Sequence, residues 1–200
     1  MDISASAIKQ LRQETSAGVM DCKRALIQAN GDYEQAKVFL RQQGLAIAAK
    51  KANRVAEQGL VESYIHAGGR IGVLVEVNCE TDFVARLPEF KELAHDLAMQ
   101  IAAQKPDYVT PDLVPAEVLE AKRSAFREQA LQEGNSPEVA DKIVEGKLES
   151  FYQEACLTEQ PFIKDGELTV KELITQKIAK VGENIRVRRF MRYELGGQDT

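Results

Sequence analysis

The sequence predicts an α+β fold: a three-helix head, then a body in which a small antiparallel sheet is flanked by helices. Three observations carry this. Ile71, Val73, Val75 and Val77 recur at every second position, the period of a strand with one buried face. Two β-rich runs, 60–66 and 70–79, are joined around Gly68-Gly69, a tight-turn pair that reads as a hairpin. Apolar residues at helical spacing, bounded by start and stop residues, fill the first 44 positions and most of the second half.

In the head, residues 4–13 read as a helix with Ser4 at its N-cap and Ile8 and Leu11 facing inward. Thr15-Ser16-Ala17-Gly18 breaks it. A second helix follows, with Val19, Cys22, Leu26 and Ala29 at helical spacing and Asn30-Gly31 as the stop. Asp32 opens a third, and Gln35 stands at capping-box spacing from it. Tyr33, Ala36 and Leu40 form its inner stripe, and Gly44 is expected to end it. Residues 1–44 thus resemble a ubiquitin-associated-type bundle. So small a bundle has a thin core, which leaves two readings for Val19 and Met20: they close the bundle, or they form an exposed docking patch. The Ala- and Lys-rich stretch 45–56 predicts a helical linker.

The body, 57–200, begins with the hairpin, and His66 falls at its turn. Neither His95 nor the cysteines stand at ligand spacing from it, so no metal site is expected. Asn78 to Arg86 then connects the strand to a helix whose first residue is Pro88, with Glu89 and Glu92 in its first turns. Asp82 beside Phe83 reads either as a rigidly mounted probe or as a polar residue next to a buried anchor. Glu80 and Asp82 are a possible acid/base pair, but they lie on a turn without a pocket signature. Residues 88–103 form an amphipathic helix with Phe90, Leu93, Ala94, Leu97 and Ile101 inside. The prolines at 106, 111 and 115 make 104–115 a loop with at most a short edge strand. Two polar helices, about 116–132 and 137–154, suggest an arm over about 116–155. A loop over 160–165 is followed by the capping box Thr169-Val170-Lys171-Glu172, which opens a helix running to Val181, and Gly182 stops it. A strand over 184–190 closes the body, with Ile185 and Val187 inward and Arg186 and Arg188 outward. The last four residues are expected to fray.

Composition excludes several classes. At 200 residues, 44% hydrophobic and 28% charged, this is ordinary globular usage. No apolar run approaches the roughly 20 residues that span a bilayer, so no membrane role is expected. No secretion signal is visible. Cys22, Cys79 and Cys156 form no CxxC pair, which fits a reducing cytoplasm or plastid stroma. The net charge of −5 disfavours a nucleic-acid binder, and four arginines between 186 and 192 are a weak signal without stacking aromatics. The charge is uneven: residues 1–56 carry a net of +4, leaving −9 for the remainder. That favours an acidic protein surface as partner, with a merely solvated face as the plainer account. No nucleophile–base constellation, phosphate loop or dinucleotide fingerprint is present. A non-enzymatic protein without a cofactor is expected.

Several blocks of the chain resemble the elongation factor Ts family. They are LRQETSAGVMDCKRAL, GDYEQAKVFLRQQG and AAKKANRVAEQG in the head and linker, then YIHAGGRIGVLV, NCETDFVAR and QPFIKD in the body. The resemblance as a whole covers residues 4 to about 195. Ser16 stands where the family usually has Gly, and Val19 where Met is common. The resemblance implies a guanine nucleotide exchange factor for the GTPase elongation factor Tu. It implies that Thr81, Asp82, Phe83 and Val84 enter beside the helices flanking the partner's Mg²⁺ site, Phe83 as wedge and Asp82 as polar partner. By the same resemblance, Arg12, Val19, Met20 and Lys23 dock the head on the GTPase domain, and His66 contacts a more distant domain of the partner. Longer members carry two sheet units in tandem. This chain carries one, leaving an edge or face for a second copy, hence a possible homodimer and a 2:2 assembly. The rival from another class is an adaptor with a ubiquitin-associated-type head and an RNA- or ribosome-binding body.

Overall fold

Side-chain caps open the first and third helices of the head, and a left-handed turn ends the second. In a computed structural model, which describes residues 3–15 and 17–197, α1 spans Ala5–Thr15, α2 Val19–Gln28 and α3 Tyr33–Lys51. Ser16, in the expected break, and the last three of the residues expected to fray lie outside the described residues. The Ser4 hydroxyl accepts the Ala7 N–H at 3.2 Å, and the Asp32 carboxylate accepts the Gln35 N–H at 2.9 Å. After α2, Asn30 and Gly31 turn left-handed, with φ of 52° and 86°, and the Gly31 N–H reaches back to the Leu26 carbonyl at 2.8 Å. The core that results is small: Leu11, Cys22, Ala25, Leu26, Ala29, Ala36 and Leu40, with Ile8, Tyr33 and Phe39 packed at its margin.

Gly44 does not end α3. The helix runs seven residues further, because Leu45 to Ala49 are strong helix formers and an interior glycine costs only about 1 kcal/mol. The expected linker is therefore largely a continuation of α3. Gly44 is buried, and a β-carbon there would lie 3.8 Å from Thr175 and 3.9 Å from Ala179.

The fold is α+β, as the sequence predicts. After the head come β1 (Gln58–Ile65), β2 (Ile71–Cys79), the single-turn α4 (Asp82–Ala85), α5 (Pro88–Gln104), α6 (Ala116–Gln132) and α7 (Pro137–Ala155). Then follow β3 (Pro161–Phe162), β4 (Asp165–Thr169), α8 (Val170–Val181) and β5 (Ile185–Glu194). The main sheet has the order β1-β2-β5. The hairpin is closed by the His66 N–H on the Ile71 carbonyl at 2.9 Å, with Gly68 and Gly69 at φ of 88° and 67°. The predicted inner rows are buried except at the start of β2, where Ile71 is half-buried: Val73, Val75 and Val77 on β2, and Phe90, Leu93, Ala94, Leu97 and Ile101 on α5.

Two local expectations are corrected. The stretch 160–165 is no plain loop, because β3 and β4 pair antiparallel there, Phe162 opposite Asp165; two residues are too few to show a period. And β5 extends to Glu194. Ile185 and Val187 are buried and Arg186 is exposed, as the alternation predicts, but Arg188 and Arg189 are both exposed and the alternation resumes one residue late.

In the arm, α6 and α7 lie against each other with Ala130, Ala140, Val144 and Leu148 buried. Ion pairs at their exposed margin, Arg127–Asp141 at 3.0 Å and Arg123–Glu145 at 2.8 Å, span the two helices. Between α5 and α6, Tyr108 forms a lone parallel bridge with Cys156. The chain's contacts divide into two units. The first holds residues up to Glu62 with Glu76–His95 and Glu172–Arg188; the second holds Ser63–Val75, Asp96–Lys171 and the residues from Arg189 on. Among the described residues no helix is long and apolar enough to cross a membrane.

Candidate functional site: the turn after β2

Within the first unit, β2 ends in two buried residues. The Asn78 side chain donates to the Gln58 carbonyl at 3.1 Å, and the Cys79 thiol points to the Thr81 carbonyl at 3.1 Å. Burial, reinforced by the nearby Glu183 carboxylate, pushes the Cys79 thiol up to about 11. It is a structural thiol and no nucleophile at neutral pH.

Thr81 then caps α4. Its backbone is extended, with φ of −126° and ψ of 153°, and its hydroxyl accepts the Val84 N–H at 3.3 Å. Pro88 keeps the turn short, since the residue before a proline is disfavoured in helical conformation. Consecutive side chains on so tight a turn point in different directions. Val84 is 4% exposed and goes into the core; Phe83 is 72% exposed and stands in solvent. Asp82 is exposed beside it and accepts from the Arg86 guanidinium at 2.6 Å. The buried-anchor reading of Phe83 is thus overturned: Val84 is the anchor. Of the four residues expected to meet a partner here, Thr81, Asp82 and Phe83 are exposed, and the Val84 side chain is out of a partner's reach in this conformation.

What holds the turn lies far off in sequence. One Glu183 oxygen accepts the N–H groups of Glu80 at 3.2 Å and Thr81 at 3.0 Å, and the other takes the Thr81 hydroxyl at 2.7 Å. In return, Glu80 accepts the Asn184 N–H at 2.6 Å and pairs with Arg54 at 3.5 Å. The sequence reading missed both Glu183 and Asn184. Their only signal was a polar pair just past the Gly182 helix stop, which tells nothing about residues 80 and 81.

The remaining expected residues fall on two other places. Arg12, at the end of α1, and Val19, Met20 and Lys23, on the first turns of α2, are all exposed, Met20 at 64%. Cys22 on the same helix faces the core. His66 is in the second unit, exposed at the hairpin turn, its Nδ1 3.0 Å from the Tyr64 hydroxyl. Among the described residues no cluster of His, Cys, Asp or Glu is placed to hold a metal ion. The β5 arginines have intramolecular partners: Arg186 donates to the Ala56 carbonyl, Arg188 pairs with Glu76, and Arg192 with Glu194.

The family model described as Elongation factor TS matches residues 3–196. The chain belongs to the elongation factor Ts family. Elongation factor Ts of Carboxydothermus hydrogenoformans is 62% identical over 194 residues, which are 97% of this chain and 89% of that protein. Those of Caldanaerobacter subterraneus and Moorella thermoacetica are 60% and 59% identical over 97% of this chain, and 97% and 96% of their own lengths. Membership in the elongation factor Ts family places the chain in translation elongation, so the exposed turn belongs to a component of protein synthesis.

Proposed function

We propose that this chain is a guanine nucleotide exchange factor for elongation factor Tu, and that the α4 turn acts on the partner's Mg²⁺ and phosphate site. The single observation that carries the reading is Phe83: a large apolar side chain, 72% exposed, on a turn fixed by hydrogen bonds on both sides. Leaving a phenylalanine in water is unfavourable, so its burial in a partner's pocket yields binding free energy with little ordering cost.

Exchange is a linkage effect. A factor that binds the nucleotide-free GTPase more tightly than its GDP complex weakens GDP by the same ratio. Each ~1.4 kcal/mol of such difference is worth about tenfold in GDP affinity. The metal is a natural target, because it neutralises the charge held in the site. Phe83 acts as wedge there. Asp82 supplies a carboxylate whose exposed pair with Arg86 is worth only about 0–1 kcal/mol, so it exchanges partners at small cost. Val84 supports the wedge from within. Arg12, Val19, Met20 and Lys23 dock the head, and His66 makes a separate contact on the partner. The deciding experiment measures release of labelled GDP from elongation factor Tu. Catalytic amounts of this chain should accelerate it, and a rate unchanged from spontaneous release removes the reading.

The same reading includes a homodimer and a 2:2 assembly. Ile65, Leu74, Met191 and Tyr193, from three strands of the second unit, are exposed apolar residues. Ile65 lies over Gly72, on the face of β2 opposite the buried valines. A second copy burying this face would bring the sedimenting mass to twice the 22.2 kDa of one chain. A monomer with full exchange activity at tens of micromolar would exclude an obligate dimer.

A further inference from the structure

The turn between α8 and β5 connects two places that the proposed function treats separately. Through Glu183 it holds the backbone of Glu80 and Thr81. Through Asn184 it holds the segment that follows the head's last helix: the Asn184 side-chain amide donates to the Ala52 carbonyl at 3.2 Å and to the Arg54 carbonyl at 2.9 Å. The Lys51 ammonium, in the last turn of α3, donates to the Gly182 carbonyl. Arg54 and Glu80 add a direct link. All these residues lie in the first unit.

Two features make this more than loop tidying. Glu183 presents one carboxylate to three donors from two consecutive residues, which determines both the position and the rotation of the α4 cap. Hydrogen bonds to a charged acceptor are also the strong ones. The orientation of α4 decides which way Phe83 points, since a turn rolled by one position would exchange it with a neighbour.

We propose that Glu183 is a positioning residue for the Thr81–Val84 turn, and that residues 182–184 lock this turn to the C-terminal end of α3, so that head and wedge meet the partner as one rigid ligand. The proposal rests on the reading of Phe83 as a partner contact. Its physical basis is effective concentration. When one contact forms, a rigid link presents the second at once, whereas a loosened turn must be ordered at each encounter.

The test uses the full chain with Glu183→Ala and Glu183→Gln. Glutamine keeps a carbonyl oxygen for the two N–H groups but is uncharged, and its amide can only donate to the Thr81 oxygen, so it should restore part of what alanine loses. In the free protein, amide hydrogen exchange at Glu80 and Thr81 should accelerate in Glu183→Ala by about tenfold or more, the effect of losing one charge-assisted hydrogen bond. Stimulated GDP release should fall by a similar factor. The decisive comparison is Phe83→Ala made in both backgrounds. It should slow release strongly in the parent chain and far less in Glu183→Ala, because a wedge already misplaced has little left to lose.

Unchanged amide protection in Glu183→Ala overturns the proposal, and so does an equal Phe83→Ala effect in both backgrounds. A Phe83→Ala chain with parental GDP release instead overturns the wedge reading, while the amide data still decide whether Glu183 sets the turn. If the alanine variant does not fold, Glu183→Asp carries the same comparisons, since it keeps the charge and withdraws the oxygens by one methylene.

Discussion

Phe83 and Val84 are adjacent on one helical turn yet differ sharply in burial, one 72% exposed and the other 4%. The two substitutions therefore separate function from stability. Val84→Ala removes buried methyl groups and should destabilise the chain by about 1–3 kcal/mol, read as a lower urea midpoint at unchanged slope. Phe83→Ala removes nothing from the core and should leave the unfolding free energy within about 0.5 kcal/mol of the parent. A large stability loss in Phe83→Ala would mean that the ring packs inward in solution.

The head offers a second such separation. Met20 and Arg12 are exposed beside the junction of α1 and α2, while the core of the bundle is built from Leu11, Cys22 and Leu26. Combining Met20→Ala with Arg12→Ala should weaken association with elongation factor Tu by about tenfold or more, the effect of losing one or two interface anchors. The circular dichroism should stay native. An unchanged dissociation constant would remove the head as a contact surface.

Two glycines test the backbone. Gly59 has φ of +142°, and a β-carbon there would meet the Val77 carbonyl oxygen at 2.1 Å. Gly59→Ala should destabilise the β1–β2 pairing by about 2 kcal/mol or more. Gly146 lies within α7, where a β-carbon meets nothing within 4 Å. Gly146→Ala should stabilise by about 0.5–1 kcal/mol, because alanine has less backbone freedom to lose. Thermal midpoints moving in the same direction for both would contradict this assignment.

Local chemistry made much of this legible in the sequence. Ser4, Asp32, Gly68-Gly69 and Gly182 each act within a few residues, and each marked its boundary. Period two on β2 and the helical stripe of α5 predicted the buried rows, because burial repeats with the geometry of the element. The misses are tertiary. Gly44 looks like a stop and the Ala- and Lys-rich residues after it like a separate helical linker; the local pattern does not show that the two runs are one helix, with Gly44 buried in its interior. Two-residue β3 has no period to detect. At the site, the residues of the turn were legible as a motif, whereas their exposure was not. Whether Phe83 or Val84 goes inward depends on where Glu183 and Thr81 place the cap, and those residues are 102 positions apart.

If Phe83 and Asp82 work by loosening Mg²⁺ in the partner, their loss should matter most while the metal is there. Phe83→Ala removes an aromatic anchor, a change that often costs about 2 kcal/mol or more at an interface. Asp82→Ala removes a charged hydrogen-bonding group worth about 1.5–3 kcal/mol, less what its release from Arg86 costs. GDP release from elongation factor Tu is to be measured with saturating Mg²⁺ and again with the metal chelated, for the parent chain and both variants. Chelation does part of the wedge's task in advance, so the defect of each variant should shrink when the metal is removed. A defect of equal size in both conditions would mean that the turn contributes plain binding energy and leaves the metal alone. Parental rates for Phe83→Ala in both conditions would leave the exposed ring without a part in exchange, whatever holds it in place.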